Sequence, residues 1–220
     1  MNPARVGQQS PPLAVSEWVQ GNGGTVADFL GQVILVEVFQ VNCPGCFLYS
    51  LPQAIEFYQR YAEKGLIILG IATAFEDFEL NTLENLRLLS TQGQVVGQTL
   101  RTLTEQGLLS NNCLPFTIPF PLGMDKLQPS VLPIGDDAIT DYISERVPQF
   151  SDYPTEYQQR LRVQVRDYLE GIKYHAETFN RFNLQGTPSH ILVDKHGILR
   201  RCTFGHDPEL ETAIQQLLAE

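Results

Sequence analysis

An α/β fold with a helical insertion follows from three patterns in the chain. The apolar run Val33 to Val41 and the apolar run Leu66 to Ala72 are joined by a helical stripe, which makes a parallel βαβ unit. Ser189 to Val193 and Ile198 to Phe204 flank Asp194-Lys195-His196-Gly197 and read as a hairpin. Between these two β regions lies a long helical periodicity, starting after Tyr153-Pro154.

Taken in order, Pro11-Pro12 and Gly21 to Gly24 punctuate an irregular or hairpin-like lead-in that contains Trp18. Val33 to Val41 is a buried strand. Phe47, Leu51, Ala54 or Ile55, Tyr58 and Tyr61 form the stripe of the next helix, which stops at Lys64-Gly65. Leu66 to Ala72 is the second buried strand. Asn81 and Glu84 have capping-box spacing, and Leu83, Leu86, Leu89, Val96, Leu100 and Leu103 continue a helical face broken near Gly93. Phe116 to Met124 is rich in β formers but carries Pro119 and Pro121, so it is expected at a sheet edge or as an irregular extended segment. Pro129 to Pro148 reads as loop with one short helix. Tyr157, Leu161, Val165, Tyr168, Ile172, Ala176 and Phe179 then predict one long amphipathic helix, its stripe used for core packing. Asp207-Pro208 has the form of an N-cap followed by proline at the first helical position, opening a last helix through Leu210, Ile214, Leu217 and Leu218. No internal repeat or low-complexity tract is visible.

The 220 residues suit one large domain or a domain with a substantial insertion, and 43% hydrophobic content supports a real core. A net charge of −10 argues against a nucleic-acid or anionic-membrane surface. No run of about 20 apolar residues is present, so no membrane span is expected. Met1 to Ser10 lacks the basic and apolar regions of a secretory leader. As given, the chain reads as cytoplasmic, with a periplasmic or lumenal location requiring a targeting segment beyond this sequence.

Chemistry concentrates at Cys43-Pro44-Gly45-Cys46, where the first strand gives way to the helix. Unpaired N–H groups and the positive end of the helix dipole stabilise a thiolate there, bringing a cysteine from about 8.5 toward 7 or below. Pro44 suits the first helical position, and the i, i+3 spacing puts both sulfurs on one turn, so the pair can close and reopen as a disulfide. Half of a zinc site and an inert pair are the alternatives. Cys113 and Cys202 are lone, the histidines have no ligand spacing, and redox chemistry is favoured over metal. Cys113 and Cys202 read as small packing residues, and His190, His196 and His206 as ordinary surface or core histidines.

Two segments together resemble the thioredoxin superfamily, and within it the redoxin or TlpA-like disulfide oxidoreductases. They are Val33 to Cys46, ending in Gln40-Val41-Asn42-Cys43-Pro44-Gly45-Cys46, and Gly186-Thr187-Pro188-Ser189-His190-Ile191-Leu192-Val193-Asp194-Lys195-His196-Gly197. Thr25 to Gly31 also resembles the family's lead-in. Roughly half the chain is covered. The resemblance implies a three-layer α/β/α sandwich forming a single thioredoxin-like domain over residues 1–220, with a mainly helical insertion at 126–174 and a further one at about 93–116.

By the same resemblance Cys43 is the attacking thiolate and Cys46 the resolving thiol. Pro188 matches the family's cis-proline, and Thr187, Pro44, Gly45 and Asn42 fall where a substrate segment would lie. Glu37, six residues before Cys43, matches the buried carboxylate of thioredoxins, suited to exchange a proton with Cys46. Three positions depart from the pattern. Asn42 replaces the usual tryptophan, Pro52 falls one residue later than the usual kink proline, and Val36 and Gln40 stand where a peroxiredoxin needs proline and threonine. The implied activity is dithiol–disulfide exchange with protein substrates, reduction being the favoured direction. A reductase or dithiol donor recycles the pair, and no cofactor or metal is implied. A redox-responsive partner-binding module is the alternative, and a thiol peroxidase ranks below both.

Overall fold

The computed structural model describes residues 4–130 and 133–220. Residues 1–3, at the amino end read above for a leader, and 131–132, within the stretch expected to be loop, lie outside them. The chain divides into two compact units. One comprises the residues up to Leu127 together with Ala176–Glu220, and the other is Gln128–His175.

The first unit is built on a six-stranded sheet. Its strands are β1 (Val15–Gln20), β2 (Val33–Phe39), β3 (Leu66–Ala72), β4 (Leu122–Asp125), β7 (Ser189–Val193) and β8 (Leu199–Phe204), in the spatial order β1-β4-β3-β2-β7-β8. Between β4 and β7 the chain forms a separate two-stranded ribbon, β5 (Leu127–Pro129) with β6 (Tyr174–Ala176). β2 runs parallel to β3 over its whole length, Val33 beside Leu66 through Phe39 beside Ala72, and antiparallel to β7. Both faces of these central strands are covered, which is why they read as unbroken apolar runs. Val33, Leu35 and Phe39 face a core shared with α1 (Leu51–Tyr61), α2 (Leu83–Gln92), α3 (Gly97–Glu105) and α7 (Leu210–Ala219). Ile34, Val36 and Val38 face the other side, with Phe179 and Phe182 in and beside the short α6 (Glu177–Arg181). The result is a central sheet flanked by helices on both faces.

Several expectations from the sequence are corrected. The lead-in around Trp18 is an edge strand, β1, paired with β4 with register shifts between Val15 and Glu17 and between Trp18 and Gln20. β4 is therefore interior, bonded to β1 on one side and β3 on the other, and not an edge. Pro119 and Pro121 lie just before it and so remove no ladder hydrogen bond. A Cβ at Gly123 would stand 2.7 Å from Val15 and 2.9 Å from Trp18, so a larger residue there would force those side chains to shift. The cap of α2 is Thr82, whose hydroxyl accepts from the Asn85 N–H at 3.1 Å, and Asn81 is used elsewhere. At the last helix, Asp207 and Pro208 form a turn and α7 begins at Leu210.

The second unit holds α4 (Asp136–Arg146) and α5 (Thr155–Gly171), with Ile139, Ile143 and Val165 buried between them and Leu161 and Leu169 packed alongside. The stripe from Tyr157 to Phe179 is thus not one helix. α5 ends at Gly171, the chain passes through β6, and α6 follows. Periodicity failed here because the apolar positions serve two cores: Leu161, Val165 and Leu169 belong to the helical pair, whereas Ala176 and Phe179 belong to the sheet. Tyr157 and Tyr168, expected in the stripe, are exposed.

Asp125 ties the end of β4 to α6. Fully buried, it accepts hydrogen bonds from the N–H of Thr178 (2.8 Å) and Phe179 (3.0 Å) and from the Thr73 hydroxyl (2.9 Å). Acidic charge at a helix start complements the unpaired N–H groups there. An amide in its place would aim an NH₂ at one set of these donors. Asp125→Asn should therefore lower stability by about 1–3 kcal/mol, read by urea denaturation at pH 7. A midpoint unchanged from the parent would show that the pairing contributes nothing.

Candidate active site

β2 ends at Phe39, and Gln40, Val41 and Asn42 carry the buried chain to Cys43. Helical structure begins at Pro44, passes through a π-helical turn over Cys46–Ser50, and continues as α1. Pro52 explains the wide turn. It has no N–H to offer and its ring crowds the carbonyl one turn back, so the helix takes in an extra residue, with the Leu51 N–H reaching back to Cys46 O. The late position of this proline and the π turn are two aspects of one feature.

At the head of the helix the Cys46 N–H lies 3.3 Å from Cys43 Sγ. Cys43 Sγ also lies 3.6 Å from the carbonyl of Thr187. Hydrogen bonding from the Cys46 thiol, joined by the Thr187 side chain and the Cys46 and Gly45 N–H groups, outweighs partial burial and holds Cys43 down at about 7. Cys46 is fully buried, and burial, the Cys43 thiolate and the nearby Glu37 charge push it well above the ordinary thiol value. One sulfur is thus half-buried and partly ionised near neutral pH, the other buried and protonated.

The β7 end brings in Thr187 and Pro188, joined by a cis peptide. The Thr187 hydroxyl donates to Gln40 Oε1 at 3.2 Å, so the buried Gln40 steadies this loop against the strand that carries the cysteines. Beside them opens a cavity of about 440 Å³, lined by Gly45, Tyr49, Gln53, Pro188, His190 and His206 among others. A Cβ on Gly45 would meet nothing within 4 Å, so the approach there is open.

Two candidate residues are placed differently from the others. The Asn42 side chain turns into the fold, its Nδ2 donating to Asp77 (2.7 Å) and its Oδ1 accepting from the Gln98 N–H (2.6 Å). Its own N–H donates to Asn81 Oδ1 at 2.9 Å. Gly97, at φ +55, starts α3 against it, and any Cβ there would collide with Asn42 Oδ1. Asn42 therefore anchors the segment that follows Gly93, and its side chain does not face a substrate. Glu37 lies under α1 on the same sheet face as Leu35 and Phe39, and its Oε2 is 2.7 Å from Nδ1 of His190. His190 is 2% exposed, so it is neither a surface group nor an unpartnered core histidine. The places of His190 and Gln40 were missed because each depends on a distant segment: the register of β2 against β7 sets His190 opposite Glu37, and the Thr187 hydroxyl reaches Gln40.

Cys202 and Cys113 lie outside it. Cys202 packs in the second core and burial raises it to about 11, while Cys113 closes a tight turn with Ser110. Among the described residues, no group of three or more His, Cys, Asp or Glu is arranged to hold a metal ion, and no helix is long and apolar enough to cross a membrane.

No protein-family model matches the chain, and no curated protein matches it. Solved structures do. A thioredoxin-like superfamily protein is 26% identical, with 96% of this chain and 97% of that one covered and a TM-score of 0.58. A thiol-disulfide isomerase from Corynebacterium glutamicum is also 26% identical, with 99% and 97% covered and a TM-score of 0.57. A hypothetical protein from Sinorhizobium meliloti, 15% identical with 99% and 86% covered, shares the fold at a TM-score of 0.52. With its Cys-Pro-Gly-Cys at the head of the helix after β2, this chain has the thioredoxin-like fold and resembles the thiol-disulfide oxidoreductases built on it.

Proposed function

We propose that the protein is a dithiol–disulfide oxidoreductase acting on protein disulfides, and that it works as a reductase. The observation that carries this is the asymmetry of the two thiols: Cys43 is held at about 7 while Cys46 is buried and raised. Cys43 thiolate attacks a substrate disulfide, expelling one substrate thiolate and forming a mixed disulfide. Cys46 then attacks Cys43 Sγ, releasing the second thiolate and leaving Cys43–Cys46 oxidised. Two electrons pass from the dithiol to the substrate, and a dithiol donor restores the pair. Cys46 cannot compete in the first step, since it is protonated and covered.

What supports this direction is how far Cys43 is lowered. A strongly depressed thiolate stabilises the reduced enzyme and makes an oxidant, whereas a value near 7 is that of a reducing couple. A reducing compartment such as the cytoplasm suits that direction. Gly45, Thr187 and Pro188 border the open approach beside Cys43 and are the groups that would meet an extended substrate segment. Glu37 is the acceptor for the Cys46 proton in the release step.

Cys43→Ser should abolish reduction of a protein disulfide. Cys46→Ser should accumulate a mixed disulfide through Cys43, seen by mass spectrometry, because attack survives and release does not. Retained turnover in both variants would leave a redox-responsive binding module as the better reading. The pH dependence has a definite sign. Alkylation of Cys43 by iodoacetamide should rise through about pH 7 and level off above it, as thiolate forms, whereas Cys202, at about 11, should stay slow across that range. Equal rates for the two at pH 7 would contradict the lowered thiol.

A further inference from the structure

Glu37 and His190 face each other across the β2–β7 ladder as directly opposed residues. Both are buried, at 1% and 2% exposure. The ring is held from two sides: Nδ1 lies 2.7 Å from Glu37 Oε2, and Nε2 lies 3.1 Å from the carbonyl of Gly205. A carbonyl oxygen can only accept, so Nε2 carries hydrogen. A proton also lies between Nδ1 and Oε2 at this 2.7 Å separation, and carried on the ring it makes an imidazolium opposite a carboxylate.

This arrangement uses one oxygen of Glu37 and leaves the other. Oε1 is buried with no hydrogen-bond partner. A buried carboxylate oxygen left unpaired costs about 1–3 kcal/mol or more, and such a group calls for an explanation. The neighbouring titratable group on the helix side is Cys46, whose thiol is raised in part by the charge of Glu37.

We propose that His190 is a positioning residue for the release step: it holds Glu37 ionised and oriented through Oε2, so that Oε1 is free to take the proton of Cys46. The inference rests on the dithiol-exchange reading above and extends it to a residue outside the Cys-Pro-Gly-Cys segment. In release, the Cys46 S–H proton passes to Glu37 Oε1 as Cys46 Sγ attacks Cys43 Sγ. The Cys43–substrate S–S bond breaks, the Cys43–Cys46 bond forms, and the substrate sulfur leaves with the electron pair. Glu37 then returns the proton to the departing thiolate or to water, and the couple is reset. The cavity that His190 lines with His206 and Pro188 gives this pair a route to solvent.

The charged and titratable groups around the ring agree with its being a cation. Glu37 approaches from β2, Asp207 from the turn after β8, and His206 shares the cavity. Asp207 is itself paired with Arg201 at 3.1 Å, so its pull on the ring is secondary. Burial alone would lower His190, but the Glu37 carboxylate, the bond to Gly205 and Asp207 outweigh it, and His190 is raised above the ordinary histidine value.

The test uses the mixed disulfide between Cys43 and 5-thio-2-nitrobenzoate, from which Cys46 expels the coloured thiolate. It needs no natural substrate. His190→Asn keeps an N–H donor toward Glu37 but loses the charge. It should slow release about tenfold or more near pH 7, within the reach of a general-base contribution, and move the acid limb of the pH–rate profile upward. Attack by Cys43 should change less, and His190→Lys, which restores the cation, should recover part of the loss. An unchanged profile in folded His190→Asn would overturn the proposal, as would a uniform slowing with the limb unmoved. Imidazole ¹⁵N resonances of the reduced parent protein give an independent reading: a doubly protonated ring at pH 7 is expected, and a neutral ring contradicts it. Failure of the parent itself to expel the thiolate would sink the dithiol reading, a different outcome from an insensitive His190.

Discussion

The site depends on the position of β2, central in the sheet and bonded to β3 on one side and β7 on the other. The parallel pairing with β3 forces the connection between them to cross the face of the sheet as a helix, so the carboxyl end of β2 must feed a helix start. Cys43 is placed there for that reason. The antiparallel pairing with β7 then brings Thr187 and Pro188 to the same end and sets His190 against Glu37. One strand therefore fixes the positions of Cys43, of Thr187 and Pro188, and of the buried Glu37–His190 pair.

The two thiols differ because the helix start treats them differently. Cys43 stands in front of the first turn, where the Cys46 N–H and thiol can donate to it and part of its surface reaches solvent. Cys46 faces inward with Phe47 and Leu51, where burial favours the neutral form. A thiol kept protonated by burial is a poor nucleophile until something takes its proton, the part proposed above for Glu37. His190 supplies that buried carboxyl with a hydrogen-bond partner in an otherwise apolar core.

Much of the core of this arrangement was legible in the sequence. The runs at 33–41 and 66–72, the hairpin around Gly197 and the glycine stop at Gly65 depend on local pattern, and each appears where the pattern places it. β1, the interior place of β4 and the break in the stripe after Gly171 were not legible, because each is decided by packing between distant segments. The same division holds in the site. Cys43, Cys46 and Glu37 lie within ten residues and announce themselves, but His190 is 153 residues from Glu37, and without the β2–β7 register it is one histidine among four. Asn42 shows the converse: adjacent to the nucleophile in sequence, its side chain is spent on holding Asp77 and the start of α3.

The central claim is that Cys43 and Cys46 form a working redox couple poised for reduction. Equilibrating the protein with defined ratios of reduced and oxidised dithiothreitol, and counting the Cys43–Cys46 disulfide by mass, measures its potential directly. The account predicts a two-electron couple near the thioredoxin value of about −270 mV. A potential near the strongly oxidising value of about −120 mV, or no Cys43–Cys46 disulfide at any ratio, would contradict it.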